Sequence, residues 1–225
     1  MRRGIVPLSE SFRESSNRIQ PTTRPMPTPI AVLILAAGQA SRMGRPKQLL
    51  PWGDTTLVGH AVRRAQGLPG AQVYVVTGAH AKQVAEALRH FGVRFFHNSD
   101  YKSGMASSIA AGVAAIRKEQ PEVAQLLIAL ADQPFIPTSY LQTLLDRQRK
   151  IAAPVATAYS AERTGVPAVF GPDSFAALEN LEGDRGARLL LRTANVVRLE
   201  PPQWQLRDID TPEAYERYRR EIGKD

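Results

Sequence analysis

From Pro29 onward, short apolar runs alternate with stretches of helical period, and that alternation leaves few folds open. The first run, residues 30–37, holds eight consecutive apolar residues, as expected of a strand buried on both faces. Strands are expected at residues 30–36, 72–77, 93–97 and 124–130. Helices are expected at 56–66, 81–91, 105–117 and 138–149, the first with Leu57, Ala61, Val62 and Ala65 on one face. This pattern predicts a three-layer α/β fold, a mostly parallel, doubly wound sheet of Rossmann-like form with helices on both faces. Beyond about residue 151 the pattern loosens. Strands at 153–159 and 168–170 flank a polar turn, and a helix at 184–192, a strand at 196–199 and a last helix at 211–221 follow. No repeat and no second core is visible, so residues 30–225 are expected to form a single domain.

Composition narrows the function classes. There are no cysteines, which excludes disulfides, thiolate zinc sites and iron–sulfur ligation. The longest apolar run is far short of the ~20 residues of a membrane helix, so a cytoplasmic protein with no membrane partner is expected. The formal charge is +8. No Lys/Arg block and no aromatic–basic ladder accompanies it, which argues against nucleic acid and for a basic pocket holding a small phosphorylated ligand. Residues 1–29 carry five Arg against two acids among Ser, Thr and Pro, and read as a flexible tail or the product of an upstream start codon. The histidines His60, His80, His90 and His97 are scattered and form no ligand-spaced pair.

In open α/β sheets, ligands gather beyond the carboxyl ends of the strands. After the first strand come Ala36, Ala37 and Gly38, small residues that let backbone N–H groups approach a ligand, with Arg42 and Lys47 able to neutralise phosphates. The spacing is neither a P-loop nor G-x-G-x-x-G. The run from Leu35 to Leu50 fits L-A-[AG]-G-x-x-x-R-M-G-x-x-K-x-L-L and closely resembles the first loop of nucleotidyltransferases of the sugar-nucleotide and molybdenum-cofactor type. The resemblance continues through Thr77-Gly78, Asn98 to Ser108, Ala131-Asp132-Gln133-Pro134, Gly165-Val166-Pro167, Gly183 to Arg188 and Asp208-Ile209-Asp210-Thr211-Pro212. It is greatest to the molybdenum cofactor cytidylyltransferases. The guanylyl branch has a second glycine where this chain has Ala37.

The resemblance implies transfer of CMP from CTP to the phosphate of a molybdopterin-type acceptor, with Mg²⁺ as cofactor and possible hand-over to a molybdenum hydroxylase apoenzyme. Both reactants are anionic, so a carboxylate-bound cation with Arg42 and Lys47 would screen their repulsion without a covalent nucleophile. Asp132, at the end of an apolar strand, reads as a metal ligand and catalytic residue, or as a turn residue. Asp210 reads as the second metal ligand, with Asp208 as second choice, while a helix cap before Pro212 is the plainer alternative. By resemblance Ala36, Ala37, Gly38, Thr77, Gly78, Asn98, Ser107 and Ser108 hold the nucleotide, though either serine alone could equally cap a helix. Gly165, Pro167, Arg185 and Arg188 would line an acceptor-side loop, and the arginines could equally be solvated. Rival readings are the same chemistry with another NTP or a sugar phosphate, and a non-catalytic cofactor carrier. A carrier would not need Arg42, Lys47, Asp132 and Asp210 together.

Overall fold

The computed structural model describes residues 29–39, 46–184, 186–193 and 195–222. The proposed tail up to residue 28, Arg42 and Arg185 lie outside them. The elements in chain order are β1 (Ile30–Ala36), β2 (Pro51–Trp52), β3 (Thr55–Thr56), α1 (Leu57–Gln66), β4 (Ala71–Thr77), α2 (Ala81–Ala87) and β5 (Arg94–His97). Then come α3 (Met105–Glu119), β6 (Gln125–Leu130), α4 (Thr138–Ile151), β7 (Val155–Ala158), β8 (Thr164–Phe170), α5 (Phe175–Glu179), β9 (Val197–Leu199) and α6 (Pro212–Ile222).

One seven-stranded sheet runs in the order β5-β4-β1-β6-β8-β7-β9, with β2 and β3 forming a separate ribbon. Its first half is parallel, as β1 pairs with β4 and β6 and β4 with β5. Only β8 runs against its neighbours β6 and β7, and β7 with β9 is parallel again. The expected mostly parallel, doubly wound α/β sheet is therefore the observed one.

The two-residue period of a strand decides what each side of β1 packs against. Val32 and Ile34 join Val58 and Val62 of α1 and Leu144 and Leu145 of α4 in one core layer. Ala31 and Leu33 join Ile109, Val113 and Ile116 of α3 in the other. Gly112 lets α3 lie close to the sheet, since a Cβ there would stand 2.7 Å from Leu33 Cδ2. A third, smaller core unites Leu50, Trp52 and Leu57 with Ile209, Tyr215 and Tyr218, fastening α6 to the β2–β3 ribbon.

Local chemistry accounts for where boundaries differ from expectation. Helix α1 starts at Leu57 because Thr56 caps it, its side chain accepting from Gly59 N at 3.2 Å. Helix α2 ends at Ala87 rather than at residue 91, as Phe91 N turns back to Leu88 O and Gly92 takes φ +63°. Strand β8 begins at Thr164 instead of 168, so Gly165 and Pro167 lie in a strand, not in the loop expected for them. The register shift opposite, between Ala156 and Thr157, lets a proline without an N–H sit in the ladder. In place of a helix at 184–192 stand two 3₁₀ turns, Gly186–Arg188 and Leu190–Arg192. Gly186, at φ +55°, lies against Met105, where a Cβ would meet the sulfur at 3.0 Å. No helix among the described residues is long and apolar enough to cross a membrane.

Candidate active site

Strand β1 is followed on one side by β4 and β5, and the chain then returns to lay β6 on its other side. Strand order reverses there, and the loops after β1 and β6 diverge to leave a crevice. A cavity of about 400 Å³ occupies it, with Leu35, Ala36, Ala37 and Gly38 from the end of β1 and Leu130, Ala131 and Asp132 from the end of β6. Lys47, Gln48, Tyr101, Gly104, Met105, Ser108 and Asp184 complete the lining.

Lys47 stands on a 3₁₀ turn directly after the undescribed part of the first loop. Its neighbour Gln48 is buried and donates from Nε2 to the carbonyls of Ala36 (3.4 Å) and Gly38 (3.3 Å), tying this turn to the end of β1. The Lys47 ammonium bonds Asp132 Oδ2 at short range and Asp210 Oδ1 at 2.9 Å. Burial alone would lower the Lys47 pKa, but the carboxylates of Asp132 and Asp210 outweigh it and raise the value. Asp132 Oδ1 is buried with no hydrogen-bond partner. A carboxylate oxygen so placed is costly unless a cation or donor reaches it.

Asp132 and Asp210 meet through the residue between Asp208 and Asp210. Ile209 is fully buried in the third core, and its N–H donates to Asp132 O at 3.1 Å. Its neighbours on either side carry their carboxylates to partners outside that core. Asp210 thus reaches Lys47, while Asp208 Oδ1 accepts from Gln133 Nε2 at 2.9 Å. Burial pushes the Asp208 pKa up to about 6, against the hydrogen bond from Gln133. The same Gln133 Nε2 lies 2.5 Å from the hydroxyl of Tyr159, which itself donates to Val166 O.

A second cavity of about 120 Å³ shares Met105 and Leu130 with the first. Gln133, Tyr159, Asp208, Gly165 and Arg188 line it, together with Arg163 and Thr164. Pro167 lies behind it, lining a small separate pocket and accepting from Thr157 Oγ1 at 2.7 Å.

The expected nucleotide residues divide. Ala36, Ala37, Gly38, Lys47, Ser108 and Asp132 line the first cavity, and Thr77, Gly78, Asn98 and Ser107 stand behind its wall. Thr77 donates to Phe96 O at 3.2 Å. A Cβ at Gly78 would come within 2.6 Å of the Ala37 carbonyl, so this glycine allows the two loops to touch. Asn98 donates to Ser107 and Ser108 (2.9 and 3.0 Å) and accepts from Asp100 N (2.9 Å), bracing the first turn of α3. Reasoning from sequence did not single out Gln48, Gln133 or Tyr159. The glutamines adjoin residues it did select, but nothing local marks Tyr159, which reaches the site only through the β7–β8 pairing.

An open α/β sheet with a crevice at its switch point, and two carboxylates holding the Lys47 ammonium there, has the ligand position common to this class of fold. Residues 32–200 match the family of the MobA-like NTP transferase domain, and the chain belongs to that family of nucleotidyltransferases. Among curated relatives, nicotine blue oxidoreductase of Paenarthrobacter nicotinovorans is 34% identical over 167 residues, 71% of this chain and 80% of that protein. The chain also matches bifunctional GlmU proteins, of which it spans about a third of the length or less, 28% for that of Rhizorhabdus wittichii. Among solved structures, a homologue of Mycobacterium tuberculosis Rv0371c from Mycobacterium sp. strain JC1 is 30% identical, with a TM-score of 0.73 over 87% of this chain and 97% of the other. Rv0371c of M. tuberculosis H37Rv, in complex with manganese, is 28% identical with a TM-score of 0.66 over 84% of this chain and 97% of the other.

Proposed function

We propose that the chain transfers CMP from CTP to the phosphate of a molybdopterin-type cofactor in the cytoplasm and releases pyrophosphate. The observation that carries this reading is the Lys47 ammonium held between Asp132 and Asp210 at the mouth of the switch-point cavity. The NTP would lie under the loop after β1, against Ala36, Ala37, Gly38 and Ser108, and the acceptor in the adjoining cavity beside Gly165 and Arg188. Arg42, which follows Gly38 in sequence, and Arg185, which follows Asp184, are proposed to meet phosphates, while Thr77, Gly78, Asn98, Ser107 and Pro167 shape the walls.

The residues suit a divalent cation. Asp132 offers an unpartnered oxygen, and both carboxylates already share a positive charge, that of Lys47. Asp132 and Asp210 would hold Mg²⁺, and the manganese-bound Rv0371c relative supports a divalent ion. When bound, such an ion neutralises charge on the phosphates. Lys47 then has two positions open to it, the carboxylates or the NTP phosphates, and its charge counts most as pyrophosphate departs. The walls from Leu35 to Ala37 and Leu130 are mostly apolar, and a less polar surrounding strengthens these charge interactions. CTP is favoured because the Ala37 methyl occupies space that the amino edge of guanine would need.

The test incubates the purified full chain with each NTP, Mg²⁺ and isolated molybdopterin cofactor, and measures pyrophosphate. CTP should give the fastest release. Equal rates with GTP would remove the base assignment and leave the enzyme class. The similarity to nicotine blue oxidoreductase favours a second reading, a redox reaction in the same cleft. Reduction of added nicotine blue by a supplied two-electron donor, a reduced nicotinamide nucleotide, with no pyrophosphate from any NTP, would replace the first reading with the second.

A further inference from the structure

Beyond the second cavity the walls carry a concentration of positive charge. A bay of about 140 Å³ is lined by Glu162, Arg163, Thr164, Arg188 and Arg192. It shares Arg163, Thr164 and Arg188 with the second cavity, which in turn shares Met105 and Leu130 with the first. The three spaces therefore run in series away from Asp132. Among the described residues, Arg163, Arg188 and Arg192 have no carboxylate partner, whereas Arg63, Arg94 and Arg117 elsewhere are each ion-paired.

The scaffold holds these arginines in place. Arg163 closes the turn from β7 to β8, where its carbonyl accepts from Tyr159 N at 2.8 Å and its N–H donates to Ser160 Oγ at 3.1 Å. Its guanidinium lies 4.7 Å from the centre of the Tyr159 ring. Arg198 fixes the same turn from outside by donating to the carbonyls of Ala161 (2.7 Å) and Ser160 (2.5 Å). Arg188 and Arg192 project from the two 3₁₀ turns, whose Ala187 and Leu191 are buried. Three guanidinium groups facing one bay, with Glu162 as the only acid in its lining, repel one another, and an oxyanion relieves that repulsion with paired N–H donors.

We propose that Arg163, Arg188 and Arg192 form an anion subsite for an oxyanion carried by the acceptor away from its reacting phosphate. The proposal rests on the transferase reading only for naming the acceptor as occupant. The full chain, ¹⁵N-labelled at arginine, is titrated with inorganic phosphate without nucleotide. The Nε–Hε resonances are assigned through Arg163→Gln, Arg188→Gln and Arg192→Gln. All three should move together and saturate with one Kd, and each substitution should weaken phosphate binding by about tenfold or more, as loss of a charged hydrogen bond implies. Should a Gln variant fail to fold, Arg192→Lys should weaken binding less than the other losses, because the charge stays. Resonances that do not saturate, or that give unrelated constants, overturn the subsite. In turnover, Arg192→Gln should raise KM for the acceptor and leave KM for the NTP alone; equal rises overturn the acceptor as occupant. Saturable phosphate binding without pyrophosphate release from any NTP would instead sink the transferase reading and leave the anion subsite standing.

Discussion

Asp132 and Asp210 share the Lys47 ammonium but differ in exposure, with side chains 15% and 54% accessible. The buried partner has the unpaired oxygen, so in the proposed metal site Asp132 would fix the position of the cation and Asp210 would close it from the solvent side. Substituting Asn at either position keeps the shape and removes the charge. Each single variant should lose roughly 10²-fold or more in turnover, as expected for a principal electrostatic stabiliser. The double variant should lose far less than the product, since both groups serve one ion. Steady-state kinetics decide, and an active Asp210→Asn beside an inactive Asp208→Asn would transfer the role to Asp208. Asp132 stood out in the sequence because it follows an apolar strand by two residues, and Lys47 and Asp210 because they fall in short local motifs, at a turn and before a helix, whereas the Gln133–Tyr159–Asp208 contacts join three distant segments and leave no such trace. His60 offers a second measurement. Burial, and then the neighbouring Arg64, push its pKa from 6.5 down to about 4. The folded chain then binds this proton less readily than the unfolded chain does. Stability from a neutral His60 is complete above pH ~6.5 and is lost as pH falls towards 4, by roughly 3 kcal/mol at most. Urea unfolding across this window should show a flatter profile for His60→Gln than for wild type; parallel profiles would remove His60 as the cause.

The β2–β3 ribbon, α6 and the segment before α6 act as one unit. Tyr215 is buried and donates from its hydroxyl to Pro51 O at 2.8 Å, while Phe135 packs edge-on against both Trp52 and Tyr218. Through these contacts the third core holds Ile209, and so holds Asp208 and Asp210 opposite Asp132. Ile209→Ala should cost about 2–5 kcal/mol, the usual penalty for emptying a fully buried site. It should also lower turnover more than an equally destabilising change in the α3 layer, such as Val113→Ala. Thermal melts and kinetics at a temperature where both variants are folded make the comparison, and equal turnover would mean that Ile209 does not position the acids. Helix α6 itself was legible from its period and from Pro212, but the ribbon is only two residues per strand and too short for periodicity to show. Gly165 and Pro167 misled in the opposite sense, since a glycine and a proline read as a loop unless the partner strand is known to shift register.

At the scale of the whole molecule, the parallel half of the sheet could be read from its buried apolar strands, while the insertion of antiparallel β8 between β6 and β7 could not. Strand order beyond β6 depends on pairings between distant segments, and a run such as Thr164–Phe170 has the same period in either direction. The Pro29 carbonyl accepts from Ala124 N at 3.0 Å and Gln125 N at 3.3 Å, so the first link between β1 and β6 is made one residue before β1 begins. Ile30 then pairs with both Ala71 and Gln125, and it and Ala31 are buried. Residues 1–28, rich in Arg, Ser and Pro, have no apolar period with which to join either core layer. We therefore propose that one domain begins at Pro29 and that what precedes it is dispensable. A chain starting at Pro29 should keep the Tm and turnover of the full protein. A chain starting at Val32 removes two buried residues and the first links of the central strand to both neighbours, so its Tm should fall by several degrees, in step with a loss of a few kcal/mol. A large fall in Tm or turnover already at Pro29 would show that the preceding residues belong to the folded domain.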